Sequence, residues 1–416
     1  MKEDNNYISE PTRQLPVHSA YDVVVVGGGI AGVAAAVAAA RAGVSVCLLE
    51  KENGLGGLAT LGNVIVWLPI CNGKGRQVIG GLGEEMLRLS VRDLQAENAK
   101  AGFHGVPACW EKGGDKKKRV DSRFMTCFNP ASYIIALEQW ILEAGVHVMY
   151  DTRLCAVRRR RGAITHVIVE NKSGRSAIAC GAAVDASGDA DLSYLAGEET
   201  STSDANVAAG WFYYLKDGVT HLCESSEAFR PDLDASKLTT PHYRGDIAEE
   251  VTAQLIETRK LTMRVLAGLR KENPGAAIEP FALPSIPCFR ATRRLVGEQS
   301  LCESDMYQWY KDTVGLTGDW RRRGPVFPIT LRMLRGVANK NLLSAGRCFS
   351  IDNSAWDAAR CIPTCAISGE AAGLAAAVAV KEKGGNAHRI AVRSFQTLMR
   401  KNGNILGAKF LAPSED

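Results

Sequence analysis

The 416-residue chain has no run of about 20 uncharged apolar residues, the length a membrane-spanning helix needs. Its most apolar stretch, "GVAAAVAAARAG", is short and broken by Arg41. The first residues, "MKEDNNYISEPTRQ", lack the apolar core of a signal peptide, so the expectation is a soluble, cytoplasmic protein. No C-x-x-C pair occurs and no Cys/His spacing suits zinc, so no metal site is expected. The twelve cysteines are spread singly and read as reduced, mostly buried thiols. No carboxylate pair stands out as a hydrolytic or metal site. Charge of one sign is also scarce. Fifty basic against forty-five acidic residues give +5, too mild to imply a nucleic-acid partner. The basic runs "KKKR" (Lys116 to Arg119), "RRRR" (Arg158 to Arg161) and "RRR" (Arg321 to Arg323) are short and scattered, as on solvated loops or strand ends. There is no internal repeat and no low-complexity segment. What remains is ordinary globular composition, 46% hydrophobic and 23% charged, in a chain long enough for two or three domains.

Against those absences stands "YDVVVVGGGIAGVAAAVAAARAGVSVCLLEK", from Tyr21 to Lys51. The four valines predict a central parallel strand buried on both faces. Gly27, Gly29 and Gly32 fit the G-x-G-x-x-G dinucleotide fingerprint at the entry to a helix of small residues. Gly27 permits the tight turn, Gly29 admits the pyrophosphate to the backbone, and Gly32 allows close helix–strand contact. The first turn, beginning at Ile30 and Ala31, offers N–H groups to phosphate. Gly43 ends the helix, and Glu50 closes the second strand about 20 residues after the first glycine, where an acid binds ribose. The glycine loop does not itself choose between a nicotinamide and a flavin dinucleotide.

Later stretches do, by resemblance. "EKENGLGGLAT" follows the second strand without starting another helix. It resembles the segment of glutathione-reductase-type flavoproteins that passes the FAD ribityl and flavin. "AAVDASGDADL" resembles their second fingerprint, a strand ending in an Ala-Thr/Ser-Gly-Asp turn. "NLLSAGRCFSIDNSAWDAARCIPTCAISGEAAGLAAAVA" and "RATRRLVGEQSL" resemble elements of the FAD-dependent oxidoreductase family. The resemblance spans nearly the whole chain. It implies an α/β, Rossmann-type FAD-binding domain, discontinuous in sequence, with an inserted α+β substrate domain. It implies FAD contacts from Gly27, Gly29, Ile30, Ala31, Gly32, Glu50, Lys51, Gly56, Gly57, Ala59 and Thr60. Further along, it implies contacts from Ala156, Val157, Ala186, Ser187, Gly188, Asp189, Gly346, Arg347, Pro363, Thr364 and Cys365. Two family features are missing. The C-x-x-x-x-C of disulfide reductases is absent, only Cys71 lying in that region, and so is a second G-x-G-x-x-G unit. The electron donor or acceptor is therefore expected to be external or to bind transiently.

The domain reading assigns 21–196 to the first part of the FAD domain, including a β-meander over 146–184. It assigns 197–334 to the substrate domain, 335–385 to the C-terminal part of the FAD domain, and 386–416 to a tail helix. "VIGGLGEEMLRLSVRDLQAENAKAG" reads as a glycine-led helix, and "NPASYIIALEQWILEAG" as one capped by Asn129 with Pro130 in first position. A further helix, "DIAEEVTAQLIETRKLTMRVLAGLRKENPG", carries an Asp246/Glu249 capping box.

Thr364 and Cys365 begin a helix whose positive N-terminal end, by resemblance, faces the flavin pyrimidine and would stabilise its reduced, anionic form. Cys361 and Cys365 are read either as packing thiols or as a redox pair. Proline between them makes a disulfide strained. Arg290, Arg293, Arg294 and Arg360 offer guanidinium forks for a carboxylate or other anion. The alternative is internal pairing to Glu298, Glu303 or Asp305. On an extended segment Arg290 and Arg294 share a face while Arg293 points away to an acid. His242, among loop residues, is the acid–base candidate, with surface or packed histidine as the alternative. Cys71 and His104 are candidates for flavin or substrate contact, a covalent flavin bond included. Hydride transfer between a small, anionic organic substrate and FAD is the expected function. The alternatives are an NAD(P)H-dependent flavin monooxygenase, a flavin-free NAD-dependent dehydrogenase and a non-catalytic flavin-binding protein.

Overall fold

A computed structural model describes residues 10–95, 102–227 and 240–412. The chain opens with β1 (Val17–Val26), α1 (Ile30–Arg41) and β2 (Val46–Leu49), followed by the short β3 (Val66–Trp67). Next come α2 (Leu82–Ser90), β4 (Thr126–Cys127) and α3 (Pro130–Glu143). Then β5 (His147–Met149), β6 (Arg153–Arg159), β7 (Ile164–Asn171) and β8 (Gly174–Asp185) lead into α4 (Asp191–Leu195). The middle of the chain holds β9 (Thr200–Thr202), β10 (Ala209–Lys216), β11 (Val219–Ser226), α5 (Ala248–Glu272), β12 (Ile278–Ala282) and β13 (Arg293–Leu295). It closes with β14 (Thr313–Gly318), β15 (Val326–Thr330), α6 (Leu331–Leu334), β16 (Leu342–Ser344), α7 (Asn353–Ala359), α8 (Ile362–Lys383) and α9 (Val392–Lys401).

The main sheet runs β5-β2-β1-β8-β7-β6, with β16 also on β8. Strands β5, β2, β1, β8 and β16 are parallel, and β6, β7 and the first half of β8 form the antiparallel meander. Val23 to Val26 of β1 are fully or almost fully buried, as a strand covered on both faces requires, while Val17 at its start is exposed. Helix α1 lies on one face of this sheet and crosses α8. Cβ atoms on Gly369 or Gly373 would overlap the carbonyl oxygens of Ala31 or Ala35, so only glycine lets the two backbones touch. By length and composition α8 qualifies as a membrane span, which the composition reading had excluded. Its apolar window is 83% buried within the protein, against α1 and the sheet, as for a core helix.

A three-stranded sheet, β11-β10-β12, packs with α5 around Phe212, Leu266 and Ile278 as a separate small core. The rest of the 197–334 stretch does not follow it. The β14–β15 hairpin packs on α8, and Val314, Leu316, Phe327 and Ile329 join the main core. Beyond residue 385, a short 3-10 turn precedes α9.

Several local expectations hold. Asn129 Oδ1 accepts bonds from the N–H groups of Ala131 and Ser132 at the start of α3, with Pro130 in its first turn. Others are corrected. Helix α2 ends at Ser90, and the remainder of the helix expected there reaches residues 96–101, outside the described residues. The N-cap of α5 is Ile247, without a side-chain bond. Asp246 is instead held by Arg244 at 3.0 and 2.8 Å. The local ion pair competed with the cap and won.

Candidate active site

The two glycine loops stack. Gly27 has φ +101°, and a Cβ there would overlap the carbonyl of Ala186, while one on Gly32 would overlap the carbonyl oxygen of Gly27. Gly29 differs: its backbone is ordinary extended (φ −64°, ψ 178°), and a Cβ would meet nothing within 4 Å. Sterics inside the protein therefore do not require glycine at position 29. The space in front of it is open and adjoins the first turn of α1, where Ile30, Ala31 and Gly32 have N–H groups with no intrahelical acceptor. Gly56 N donates to Gly28 O at 2.8 Å, and Gly57 brings its backbone against Gly29. Thr60 Oγ1 donates to Leu55 O at 2.5 Å, folding the Gly57–Ala59 turn back on itself. The Glu50 carboxylate accepts from Gly28 N at 2.6 Å and Glu52 N at 2.8 Å, and burial raises its pKa. Lys51 beside it is exposed. Ala156 and Val157 lie along β6 against Ile168 and Val167. The Glu50 backbone is reached instead by Met149, whose O accepts from Glu50 N at 2.9 Å, and by Thr152, whose N donates to Glu50 O at 3.0 Å.

The second loop leaves β8 at Asp185. This fully buried carboxylate accepts from Ser187 N and Oγ and from Ser193 N and Oγ, fixing the Ala186-Ser187-Gly188-Asp189 turn. Arg347 crosses that turn. Its Nη1 donates to Phe289 O at 2.6 Å, and its Nη2 stands 3.5 Å from Asp189 Oδ1. Gly346, at φ +77°, leaves room for Ala31 in the first turn of α1 and donates its N–H to Ser368 Oγ on α8 at 3.0 Å. The N-termini of α1 and α8 thus converge on one point.

At the start of α8, Cys361 is the N-cap and Pro363 lies in the first turn. Thr364 Oγ1 is 2.7 Å from Thr317 Oγ1 and 3.2 Å from Cys361 Sγ. Cys361 and Cys365 are free thiols, and burial pushes Cys365 up to about 12. Cys71 is buried and accepts from Phe124 N, whereas His104 is exposed.

The arginines separate. Arg293 pairs with Asp191, as an arginine pointing away to an acid should, and its guanidinium lies 4.4 Å from the centroid of the Tyr194 ring. Arg294 does not share a site with Arg290. It is 4% exposed and donates to Asn353 Oδ1 at 2.7 Å, and burial lowers its pKa. Asn353 begins α7 and Arg360 follows its end, about 10 Å further along the helix. Arg290 Nη2 instead faces Glu224 Oε1 at 3.5 Å and Ser226 Oγ at 3.4 Å, and its charge is felt at Arg360. Burial lowers the Arg360 pKa, Asp357 opposes that, and the Arg290 charge adds to it. The acids expected to absorb these arginines are engaged elsewhere: Glu298 with Arg335, Glu303 with Arg322, and Asp305 with Tyr310.

Sequence reasoning missed Asn206. Its Oδ1 accepts from Arg290 N and Ala291 N, both at 2.9 Å, and its Nδ2 donates to Ala291 O and to Tyr243 O. It therefore ties the RATRR segment to the loop of His242, which is partly exposed with Nε2 buried and without a partner among the described residues. Thr317 and Asp357 were missed as well. Asn206 and Thr317 carry no motif, because each acts through partners far away in sequence, whereas Asp357 and Arg360 form an i,i+3 pair whose spacing could have been read.

The sequence pattern of the FAD dependent oxidoreductase family matches residues 22–210 and 221–399. Thioredoxin reductase of Ureaplasma parvum is 39% identical over 71 residues, 17% of this chain and 23% of that one, so the match spans under a quarter of that relative. Two solved structures are similar. A geranylgeranyl bacteriochlorophyll reductase-like protein of Thermoplasma acidophilum has 14% identity and a TM-score of 0.48, covering 92% of this chain and 84% of that one. For p-nitrophenol 4-monooxygenase of Pseudomonas putida the figures are 12%, 0.43, 92% and 89%. The open cradle at Gly29, beside two converging helix N-termini, suits the cofactor of the matched family, and the chain belongs to the FAD-dependent oxidoreductases.

Proposed function

We propose that this enzyme moves a hydride between a small anionic substrate, a carboxylate in the first instance, and its FAD. When bound, FAD supplies a two-electron hydride acceptor or donor. Residues around the glycine cradle, Gly29, Gly56, Gly57, Ser187 to Asp189 and Arg347, would hold it, with the first turn of α8 at Pro363, Thr364 and Cys365 beside it.

One observation carries the substrate assignment. Arg360 stands just before the Cys361 N-cap, at the N-terminal, partly positive end of α8, and the Arg290 charge acts on it. Each guanidinium already holds an acid, Asp357 on Arg360 and Glu224 on Arg290, and an anion received by both would add further charge-assisted bonds. Asn206 sets the backbone from which Arg290 projects. His242 Nε2, on the loop that Asn206 ties to this segment, is the candidate to accept or return a proton. The electron partner is external or binds transiently.

Arg290→Ala and Arg360→Ala each remove one such bond. The Michaelis constant for the carboxylate should rise by about ten- to a hundredfold, at about 1.5–3 kcal/mol per contact, with FAD content unchanged. Unaltered constants in both variants would refute the assignment.

A further inference from the structure

Arg360 is held on more than one side. Asp357 Oδ1 accepts from its Nε at 3.0 Å and its Nη2 at 2.7 Å, and its guanidinium lies 5.4 Å from the centroid of the Trp356 ring. Asp357 is in turn fixed from behind. Its Oδ2 faces Arg321 Nη1 at 3.7 Å, and its backbone carbonyl accepts from Trp320 Nε1 at 3.0 Å. Arg321 forks onto Asp319 at 2.9 and 3.0 Å, and Arg322 Nε reaches the same carboxylate at 2.9 Å. The Asp319 side chain is fully buried. Burial alone would raise its pKa, but the two arginines hold it below the usual value. Charges therefore alternate without a break from Asp319 in the β14–β15 turn, through Arg321 and Asp357, to Arg360 at the mouth of α8. The run "RRR" lies in an exposed loop, as its sequence suggests, and its first two arginines anchor this chain.

Resting on the anion-clamp reading above, we propose that Asp357 is a positioning residue that orients the Arg360 guanidinium, jointly with Arg290, to receive the substrate carboxylate. A plain counter-charge would stand in the same place, but the two roles predict opposite signs. If Asp357 only neutralises, removing its charge makes the site more positive and anions bind more tightly. If it positions, Asp357→Asn keeps the one oxygen that Arg360 uses but weakens it to a neutral acceptor and turns an amide N–H₂ on Arg321, so the side chain loses its hold from behind. Arg360 then swings, and anions bind more weakly despite the added net positive charge. Asp357→Glu separates the roles again, because it keeps the charge and displaces it by one methylene.

The test uses the FAD-loaded, full-length protein, with benzoate and acetate as probes. Binding is read as the perturbation of the flavin absorbance spectrum, alongside FAD content and the unfolding temperature. The positioning role predicts at least about tenfold weaker binding in both Asp357→Asn and Asp357→Glu, the loss of one charge-assisted bond, with cofactor content and unfolding temperature kept. Tighter binding in Asp357→Asn, unchanged binding in Asp357→Glu, or loss of FAD from both would overturn it. Arg360→Ala separates the two levels. If it weakens probe binding while the Asp357 variants do not, only the positioning role fails. If neither probe perturbs the wild-type spectrum, or Arg360→Ala leaves binding unchanged, the clamp itself fails and takes the positioning role with it.

Discussion

Gly29 and Gly32 sit three residues apart in one loop, yet the structure gives them different reasons to be glycine. At Gly32 a Cβ would overlap the carbonyl oxygen of Gly27, a backbone atom that cannot move without unmaking the turn. At Gly29 a Cβ meets no protein atom within 4 Å, and the backbone angles are open to any L-residue. Gly29→Ala replaces glycine by a poorer helix N-cap, a loss of about 0.5–1.5 kcal/mol. Reduced freedom of the unfolded chain returns about 0.4–1 kcal/mol. The fold of the FAD-free protein should therefore change by less than about 1 kcal/mol. Gly32→Ala should lose at least about 3 kcal/mol, at or above the upper end of overpacking in a close-packed site. FAD affinity should reverse the ranking. Gly29→Val puts a branched side chain where the dinucleotide approaches, and overpacking of about 1–3 kcal/mol there weakens binding by roughly five- to 150-fold. Urea unfolding of the apoproteins and fluorescence titration with FAD check both halves. Gly29→Val binding FAD as tightly as wild type, or Gly29→Ala unfolding as readily as Gly32→Ala, would refute the cradle.

Two further predictions follow from buried charge. Burial raises Glu370 to about 7, while its carboxylate accepts from Leu82 N and Asn404 Nδ2. The folded form therefore holds the proton more tightly than the unfolded chain. This contribution is complete below about pH 4.5 and lost as the pH rises to about 7, a change on the order of 3 kcal/mol. Glu370→Gln should flatten that slope in urea unfolding between pH 5 and 8, and an unchanged slope would contradict it. Arg294 keeps Nε and Nη1 buried without a partner among the described residues, and such a guanidinium is costly to bury. Arg294→Met should be neutral or stabilising in thermal unfolding, with FAD content unchanged. A loss of several degrees would show that the guanidinium is satisfied after all.

The parts of the site legible in sequence are those where one segment makes its own geometry. The valine run, the glycine loop, the short-residue helix and Glu50 follow one another within a single β-α-β unit, so spacing alone set them in place. The Ser-Gly-Asp turn and the start of α8 were reached by resemblance, because nothing local says that two helix N-termini meet at Gly346. The arginines were the hardest. Alternation on an extended segment paired Arg290 with Arg294 and correctly sent Arg293 to an acid. But β13 begins only at Arg293, so Arg290 is not on the same strand. Its ion-pair partner Glu224 lies 66 residues away and Arg360 lies 70 residues away, so no local spacing relates them. Asn206 escaped for the same reason, while Asp357 stands only three residues before Arg360 and was within reach of a helix-spacing argument. The Asp246 cap failed because a nearby arginine offered the carboxylate a better partner.

The most direct test of the account is anaerobic mixing of the FAD-loaded protein with a panel of small carboxylates and their uncharged amides, following the long-wavelength flavin band. The account predicts that at least one carboxylate bleaches the band, that its amide does not, and that Arg290→Ala and Arg360→Ala slow the bleaching while retaining FAD. Bleaching by no carboxylate of the panel, or by carboxylate and amide alike, would contradict it.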